Sequence, residues 1–556
     1  MSRTGAGGVS PPAPPLDQPA PPTDRPPAAR AAAPGVRALL FLGLTPPLLL
    51  ALVRLVMHLS GFTGVDAAAH AYKTELLRGG LGGLFWDGFW YGGSYGIIDY
   101  GPLYYLLAAA IPGVLLVVLA AGSLPLLLQL YLHRTYGATS CLPAAALTVV
   151  LCFYLANGQD PFLFALALMM GGLALLAYGR PVWAALAVGL ALFCNPLAVF
   201  VGGVFLVADF VARADLRRPY LVFAAWFAPF AVARGGLSLL FAQPAAYFND
   251  LGQVARPFGF AVLGAVLVWF SKDERRRHKL TLFLAYALVC VAAYALPAVP
   301  LGNNVNRFLM VFGLPVMLLI TKLRLPAVVL AVVLPAVAWA QLQTPASHLF
   351  APPRPQAADA AFFAPALAEA RALYDADYRF HVVALEKHWE AYYFPIHGYA
   401  ITRGWYRQED ALHNGLFLRH SYSQDEYVGW LRSMGVRYVF LPDAPVDFTS
   451  KAEVRILTSS PIFQEVARTR HWTVYRLKQA EPLLVPRSNG GGGEVLAMEH
   501  RSVRLQIDAS GDYLLKVTYT PCWHLARGRG EVARAAQGFV LLRARSAGVF
   551  ELRFEL

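Results

Sequence analysis

The sequence is poor in charged residues. Only 15% of its 556 residues are Asp, Glu, Lys or Arg, whereas 57% are hydrophobic. Water-soluble domains carry about 25% charged residues, so this chain has too little polar material to cover a soluble surface. A soluble protein is therefore excluded. A polytopic α-helical membrane protein is predicted, because apolar runs of about 20 residues recur along the chain.

Cysteine is also scarce, and the chain lacks any metal-ligand spacing of cysteines. Only Cys522 lies in the polar part of the sequence, and the other four lie in apolar runs: Cys141, Cys152, Cys194 and Cys290. This pattern predicts neither a zinc site nor a disulfide framework.

The charge that is present is mostly basic and gives a net charge of +13. Lys and Arg collect on the cytoplasmic side of membrane proteins, so a basic total needs no nucleic-acid partner. Residues 1–35 are rich in Pro and Ala and lack large apolar side chains, which predicts a disordered cytoplasmic tail. This tail has no compact apolar segment followed by a cleavage site, so it is not expected to be a signal peptide.

The distribution of charge also predicts a topology. Arg25, Arg30 and Arg37 precede the first apolar run and place the N-terminus inside, which leaves residues 61–100 as a long outer loop. The apolar stretch 101–133 fits an interfacial helix with one crossing, or two cramped crossings. Only one crossing keeps every later basic loop cytoplasmic.

We therefore predict about eleven transmembrane helices and a C-terminus outside the cell membrane. The spans are expected near 37–60, 114–134, 138–157, 161–178, 182–196, 197–213, 220–241, 257–271, 279–298, 304–321 and 325–342. The short spans 182–196 and 197–213 have an alternative, because Asn195-Pro196 is also compatible with a kink in one helix.

The composition changes after the last span. The transmembrane domain is assigned to residues 36–342. Residues 343–487 mix helical stretches with short apolar strands such as FHVVAL and VRYVFLP, which predicts an extracytoplasmic α/β domain. Residues 488–556 alternate apolar and polar side chains and predict a small β-sandwich.

The outer loop carries the first polar residues that point to chemistry. Asp66 follows the first span within a few residues, at a depth where a carboxylate is costly unless it faces a wet cavity or a partner. His70 lies four residues later and would share a helix face with it. An amphipathic helix resting on lipid headgroups is the alternative explanation for this aromatic-rich loop.

These motifs resemble those of the GT-C superfamily of membrane glycosyltransferases, in the bacterial branch often labelled RgtA/B/C/D-like or 6-pyruvoyl-tetrahydropterin-synthase-related. The likeness lies in the acidic residue after the first span, the segment YGPLYYLL, Asp160 in NGQDPFLFALAL, and GNNVNRFLMVFGLPVML near a late span. It covers about residues 37–342. It implies transfer of a sugar from a polyprenyl-phosphate carrier at the outer face of the membrane.

The resemblance, together with depth in the membrane, assigns candidate residues. The catalytic candidates are Asp66 as general base, Asp160 and His70, although Asp160 would equally serve as a helix N-cap. The candidates for binding the donor phosphate are Arg54, Arg234, Arg307 and Asn304. Each arginine has snorkelling to the interface as its alternative role.

The chain departs from the commonest pattern of the superfamily in one respect. Asp66 stands alone, without an adjacent acidic residue, and paired carboxylates are what would hold a divalent cation. Whether a divalent cation takes part is therefore left open. His388, with Glu386 and Glu390, resembles half of a metal site without a second ligand pair nearby, so a solvated or sugar-contacting surface is the preferred interpretation.

The sequence thus predicts an inverting membrane glycosyltransferase in the cell membrane, with the lipid bilayer, a polyprenyl-phosphate sugar donor and a glycan or protein acceptor as partners. A transporter or lipid flippase is the first alternative, although no repeated halves are evident. A non-catalytic membrane scaffold that binds envelope polymer is the second.

Overall fold

The structure is a computed structural model, and it describes residues 35–98, 100–138, 140–213, 217–241, 251–273, 275–296, 302–320, 327–350, 355–419, 421–487 and 491–556. All of the predicted disordered tail except residue 35 lies outside these residues, and so does the basic pair Lys322 and Arg324.

Helices dominate the first part of the chain. In the described residues the α-helices are α1 (Val36–Leu59), α2 (Ala67–Arg78), α3 (Pro102–Ala110), α4 (Gly113–Tyr136), α5 (Leu142–Tyr154), α6 (Asp160–Ala177), α7 (Pro181–Cys194), α8 (Pro196–Ala212), α9 (Arg217–Leu240), α10 (Leu251–Trp269), α11 (Arg276–Ala295), α12 (Arg307–Met317), α13 (Ala327–Leu349), α14 (Ala360–Ala372), α15 (Glu390–Ile396), α16 (Arg407–His413), α17 (Gln424–Ser433) and α18 (Lys451–Ser459).

The first two strands form a short hairpin in the first loop, and the other strands lie in the C-terminal part of the chain. They are β1 (Trp86–Asp87), β2 (Ser94–Tyr95), β3 (Arg379–Val382), β4 (Val436–Pro442), β5 (Phe463–Arg468), β6 (Trp472–Leu477), β7 (Leu484–Pro486), β8 (Gly493–Met498), β9 (Ser502–Ile507), β10 (Gly511–Thr518), β11 (Trp523–Arg527), β12 (Gly530–Arg534), β13 (Phe539–Ala544) and β14 (Gly548–Phe554).

The chain is a polytopic membrane protein with a β-rich C-terminal region. Among the described helices, seven are long and apolar enough to cross a membrane: α1, α4, α6, α9, α10, α11 and α13 from Val329 onward. The eleven predicted spans fall on α1 and on α4 to α13. Because α5, α7, α8 and α12 are shorter than 18 residues, the number of crossings and the outer location of the C-terminus stay predictions.

Burial separates the centre of the helix bundle from its lipid-facing rim. Of the apolar window in α6, 67% is buried, because α4, α7 and α8 pack around it. In α9 the corresponding share is 11%, and side chains such as Leu221 and Val232 are exposed. A rim of exposed apolar side chains is expected where lipid replaces water as the solvent.

The break at Asn195 separates two helices. The Asn195 backbone is extended, and its side-chain oxygen accepts a hydrogen bond from the Leu197 N–H at 3.0 Å, which caps α8. Gly101, at the end of the first loop, approaches Cys194 so closely that a Cβ there would lie 2.1 Å from the Cys194 carbonyl oxygen. The break therefore lies beside the first loop rather than halfway along the bundle.

A buried carboxylate ties helices together at the other end of the bundle. Asp209 accepts hydrogen bonds from Tyr131 and Tyr220, both at 3.0 Å, and it contacts His278 at 2.6 Å. These three side chains come from α4, α9 and α11, and Asp209 comes from α8. A polar group in a membrane interior is tolerated when all its bonds are made, as here, so Asp209 is explained by packing.

The C-terminal region contains two β structures. The first is a sheet of order β3-β4-β6-β5, with β3 and β4 parallel and the other pairs antiparallel. The second is a pair of four-stranded sheets, of order β12-β13-β10-β7 and β11-β14-β9-β8, which enclose a core that includes Leu505, Tyr513 and Phe550. Since β7 precedes residue 488, this sandwich begins a few residues before the predicted boundary.

The first loop packs against the C-terminal region. Ala69, Tyr72 and Trp90 of this loop share one hydrophobic core with Phe394 and Trp472 of the α/β region. The Trp90 indole N–H donates to the carbonyl of Ala391 at 2.9 Å. The first loop is therefore held in place by apolar packing against the α/β region.

Two glycines set the distance between the first loop and the start of α6. A Cβ on Gly64 would lie 2.4 Å from the Gly158 Cα, and Gly158 has a φ of +68°. Only glycines allow the two backbones to approach so closely and adopt this conformation. As a result, the Asp66 N–H donates to the Asn157 carbonyl at 3.1 Å, and Asp66 lies beside the segment that leads to Asp160.

We expect Gly64→Ala to push these two segments apart and to destabilise the full chain by about 1–3 kcal/mol, the usual cost of overpacking. Thermal unfolding in detergent would detect this as a lower Tm. Gly203→Ala in α8 is the matched control, because no atom lies within 4 Å of its Cβ position. Equal Tm values for the two variants would contradict the tight contact.

Candidate functional site

Two aspartates lie at the beginnings of two neighbouring helices. Asp66 directly precedes α2, and Asp160 is the first residue of α6. The glycine contact described above holds the two helix starts together. Helix N-termini favour negative charge, because their first backbone N–H groups lack partners within the helix. The structure thus brings together the two carboxylates that the sequence singled out.

Arg54 connects the first long helix to this pair. Its Nη2 forms an ion pair with Asp160 Oδ1, and both side chains are largely but not fully buried, at 15% and 21% exposure. The Arg54 Nε is buried and has no hydrogen-bond partner among the described residues. The guanidinium is therefore oriented by Asp160 and keeps donor capacity.

His70 lies one turn beyond Asp66 and is almost fully buried. Its Nδ1 contacts the Tyr105 hydroxyl at 2.8 Å, whereas its Nε2 has no partner in the described part of the chain. Burial lowers the pKa of His70, and the negative charges of Asp66 and Asp160 oppose that shift only in part. The imidazole is therefore neutral at pH 7 and offers one uncommitted nitrogen.

A cavity of about 760 Å³ lies beside these groups, and we call it the α1–α2 cavity; Asp66 is not among its lining residues. Arg54, His70 and Asp160 line one end of it. One face of α2 forms its length, from Ala67 to Arg78, at helical spacing. Apolar side chains from α1 and α4 line another part of it: Leu55, Val114, Leu115 and Val118.

Trp405 brings the α/β region into contact with the first aspartate. Its indole Nε1 donates to Asp66 Oδ1 at 3.2 Å. The Trp405 ring stacks on His388, with the centroids 3.6 Å apart and the planes at 12°. Asp66 therefore has its acceptor geometry set by a residue 339 positions later in the chain.

His388 is held between two carboxylates. Its Nδ1 lies 3.2 Å from Glu390 Oε1, and its Nε2 lies 3.5 Å from Asp447 Oδ2. Burial alone would lower the pKa of His388, but the hydrogen bonds and charges of Asp447 and Glu390 raise it above its ordinary value. Glu386 is not among the contacts of His388 in the described residues.

Arg307 and Asn304 lie beside the start of α6 but outside the cavity lining. The Arg307 Nε donates to Asn304 Oδ1 at 2.7 Å, and its Nη1 donates to Gln159 Oε1 at 2.5 Å. Its guanidinium also lies over the Phe162 ring, 4.6 Å from the centroid. Arg307 therefore contacts Gln159, the residue directly before Asp160.

Arg234 is not grouped with the other candidates. It lies on α9, which packs against α7, and its Nη1 donates to Ser238 at 2.8 Å one turn along the same helix. It is not among the residues that line the α1–α2 cavity. A role for Arg234 at the phosphate site stays a prediction.

A divalent cation finds no suitable group of ligands in the described chain. No set of three or more His, Cys, Asp or Glu side chains that could hold a metal ion is found among these residues. Asp160 accepts from Arg54, and Asp66 accepts from Trp405. We assign no step to a metal.

Sequence patterns alone did not identify Trp405, Tyr105 and Gln159 as neighbours of the candidates. The pair Gly64 and Gly158 gave a weak signal, because Asn157-Gly158 indicates a tight turn directly before Asp160.

The chain was compared with protein families, curated proteins and solved structures. No protein-family model and no curated protein matches the chain. Among solved structures it is similar to a cryo-EM structure of the arabinofuranosyltransferase AftD from Mycobacteria, with a TM-score of 0.45 and 16% sequence identity. The similarity covers 83% of this chain and 44% of the other, so the chain spans less than half the length of AftD.

Proposed function

We propose that the chain is a membrane glycosyltransferase that uses a polyprenyl-phosphate-linked sugar as donor. The observation that carries this proposal is the α1–α2 cavity, which combines apolar walls with an end lined by Arg54, His70 and Asp160. A lipid-linked sugar has the same division into an apolar chain and an anionic, polar head.

The apolar walls are open to the bilayer. Leu55, Val114 and Leu115 are 51%, 53% and 48% exposed, although they line the cavity. A polyprenyl chain could therefore lie against α1 and α4 while it remains in the membrane. Entry from the bilayer avoids the cost of carrying the lipid through water.

The charged end suits the phosphate. Arg54 provides a permanent positive charge, and guanidinium binds phosphate oxygens through two parallel hydrogen bonds. The uncommitted Nε2 of the neutral His70 can donate a further hydrogen bond when its proton resides on that nitrogen. Arg307 and Asn304 would act through Gln159, which directly precedes Asp160.

Asp66 is the proposed general base. Its carboxylate takes the proton of the acceptor hydroxyl while the hydroxyl oxygen bonds to the anomeric carbon. The bond between that carbon and the phosphate oxygen breaks, and polyprenyl phosphate leaves with the electron pair. A single displacement of this kind inverts the anomeric configuration. The Trp405 hydrogen bond would hold the second Asp66 oxygen in place.

The acceptor is proposed to be a cell-envelope glycan or protein outside the membrane. A lipid flippase, the first alternative, needs a path that leads through the membrane. In the described residues the polar lining lies along the first loop, so no observation favours that alternative. A scaffold that binds envelope polymer without turnover, the second alternative, would show the same fold. A sugar-transfer assay distinguishes it from the proposed enzyme.

We expect Asp66→Asn to lower sugar transfer by about 10²–10⁴-fold, the usual contribution of a general base, while donor binding is retained. The assay would use membranes that contain the full chain, a panel of polyprenyl-phosphate-linked hexoses and pentoses, and envelope glycan as acceptor. Asp425→Asn, an exposed carboxylate of the α/β region, is the control. Full activity of Asp66→Asn would refute the assigned base, and no donor consumption by the parent would refute the enzyme.

The proposed topology gives a second prediction. In a chain with Cys141 and Cys522 changed to Ser, Gln424→Cys should react with a membrane-impermeant maleimide in intact cells, because residue 424 is exposed on the C-terminal region. Arg180→Cys, in the loop between α6 and α7, should react only after permeabilisation. The reverse pattern would place the site of transfer on the cytoplasmic face.

A further inference from the structure

A second cavity lies next to the first and has a different lining. It has a volume of about 840 Å³, and we call it the α2–α15 cavity. Three distant parts of the chain form it: the end of α2 with the glycine segment 79–83, helix α15, and the turn between β8 and β9. Glu75 and Arg78 contribute to the walls of both cavities, so the two cavities are adjacent along α2.

The lining is polar and aromatic and suits a sugar. Tyr392 supplies an aromatic face, because its half-buried ring leaves part of its surface open. Glu75 and Arg78 form a partly exposed ion pair at 2.5 Å, and Glu499 lies in the opposite wall. Binding sites combine a few polar groups with aromatic surfaces in this manner, whereas a lipid chain would need the apolar walls of the first cavity.

Arg501 is the most available charge in this cavity. It is exposed, and its guanidinium makes no hydrogen bond or ion pair with the residues that the structure describes. A Cβ on Gly82 would lie 2.1 Å from the Arg501 Cζ, so the guanidinium lies directly against the Gly82 backbone. Because Gly82 has no side chain, the Arg501 guanidinium can occupy this position in the cavity wall.

We propose that the α2–α15 cavity binds the acceptor, a linear glycan, at sugar units remote from the hydroxyl that reacts. This inference rests on the proposed function. Glu75 follows Asp66 by nine residues along α2, which corresponds to about 14 Å. That distance exceeds one sugar ring, so a short oligosaccharide could reach from Arg501 and Tyr392 to Asp66 past Glu75 and Arg78.

The geometry gives this cavity a defined effect on catalysis. Groups that hold a remote part of the acceptor lower its KM and orient its reacting end. They have no contact with the donor, which is proposed to occupy the α1–α2 cavity. Variants here should therefore change acceptor parameters and leave donor parameters unchanged, and short acceptors should be affected less than long ones.

The test uses Tyr392→Ala and Arg501→Ala in the full chain, in membranes. We expect each to raise the KM for a long acceptor oligosaccharide about tenfold, equivalent to about 1.4 kcal/mol, with the donor KM and the rate of donor hydrolysis by water unchanged. Arg504→Ala is the matched control. Arg504 is exposed on β9, the strand that follows the β8–β9 turn, and it does not line the cavity. An unchanged acceptor KM in both variants, or a raised donor KM, would overturn the proposal.

A binding measurement separates this inference from the proposed function. Linear arabinan and glucan oligosaccharides of increasing length would be titrated into the purified full chain by calorimetry. Binding by the parent that weakens about tenfold in Tyr392→Ala and Arg501→Ala, but not in Arg504→Ala, would support the cavity even if no donor were consumed. Absence of binding to the parent would overturn the proposal that the α2–α15 cavity binds the acceptor. Donor hydrolysis by the same protein would still support the proposed glycosyltransferase activity.

Discussion

The backbone contact between Gly64 and Gly158 is the constraint on which the candidate site depends. It joins the loop after α1 to the turn before α6, and it is close enough that neither residue accommodates a side chain. The hydrogen bond from Asp66 N–H to Asn157 follows from it, and so does the proximity of Asp66 to Asp160. Two carboxylates that are 94 residues apart in sequence therefore share one site because two glycines leave no space between their segments.

Helix α2 transmits this arrangement to the rest of the molecule. One of its faces lines the α1–α2 cavity through Ala67, His70 and Glu75, and the other places Ala69 and Tyr72 in the core of the α/β region. The same twelve residues thus separate a membrane-facing cavity from a soluble core. A helix that is packed on both sides has little freedom to move, which suits a site that must hold its groups in fixed positions.

Much of the fold could be predicted from the sequence, because its signals are local. Long apolar runs predict helices wherever they occur, and α1 and α4 to α13 coincide with the eleven expected spans. The spacing of Asp66 and His70 also places them on one helix face. Tertiary contacts leave no such local pattern. Nothing near Asp66 in the sequence indicates Trp405, and the depth of Arg234 in its span does not reveal whether its side chain lines the cavity.

The ion pair between Arg54 and Asp160 explains how a phosphate site could exist at the edge of the bilayer. An isolated guanidinium there would be costly to bury, and Asp160 compensates its charge while no ligand is bound. A phosphate brings further negative charge, so the proposed site needs donors beyond Arg54. The start of α6 contributes its positive dipole end, and the neutral His70 adds a donor without adding charge. Under this proposal, Asp160 serves to position Arg54, which leaves Asp66, whose partner is the neutral Trp405 indole, as the carboxylate free to accept a proton.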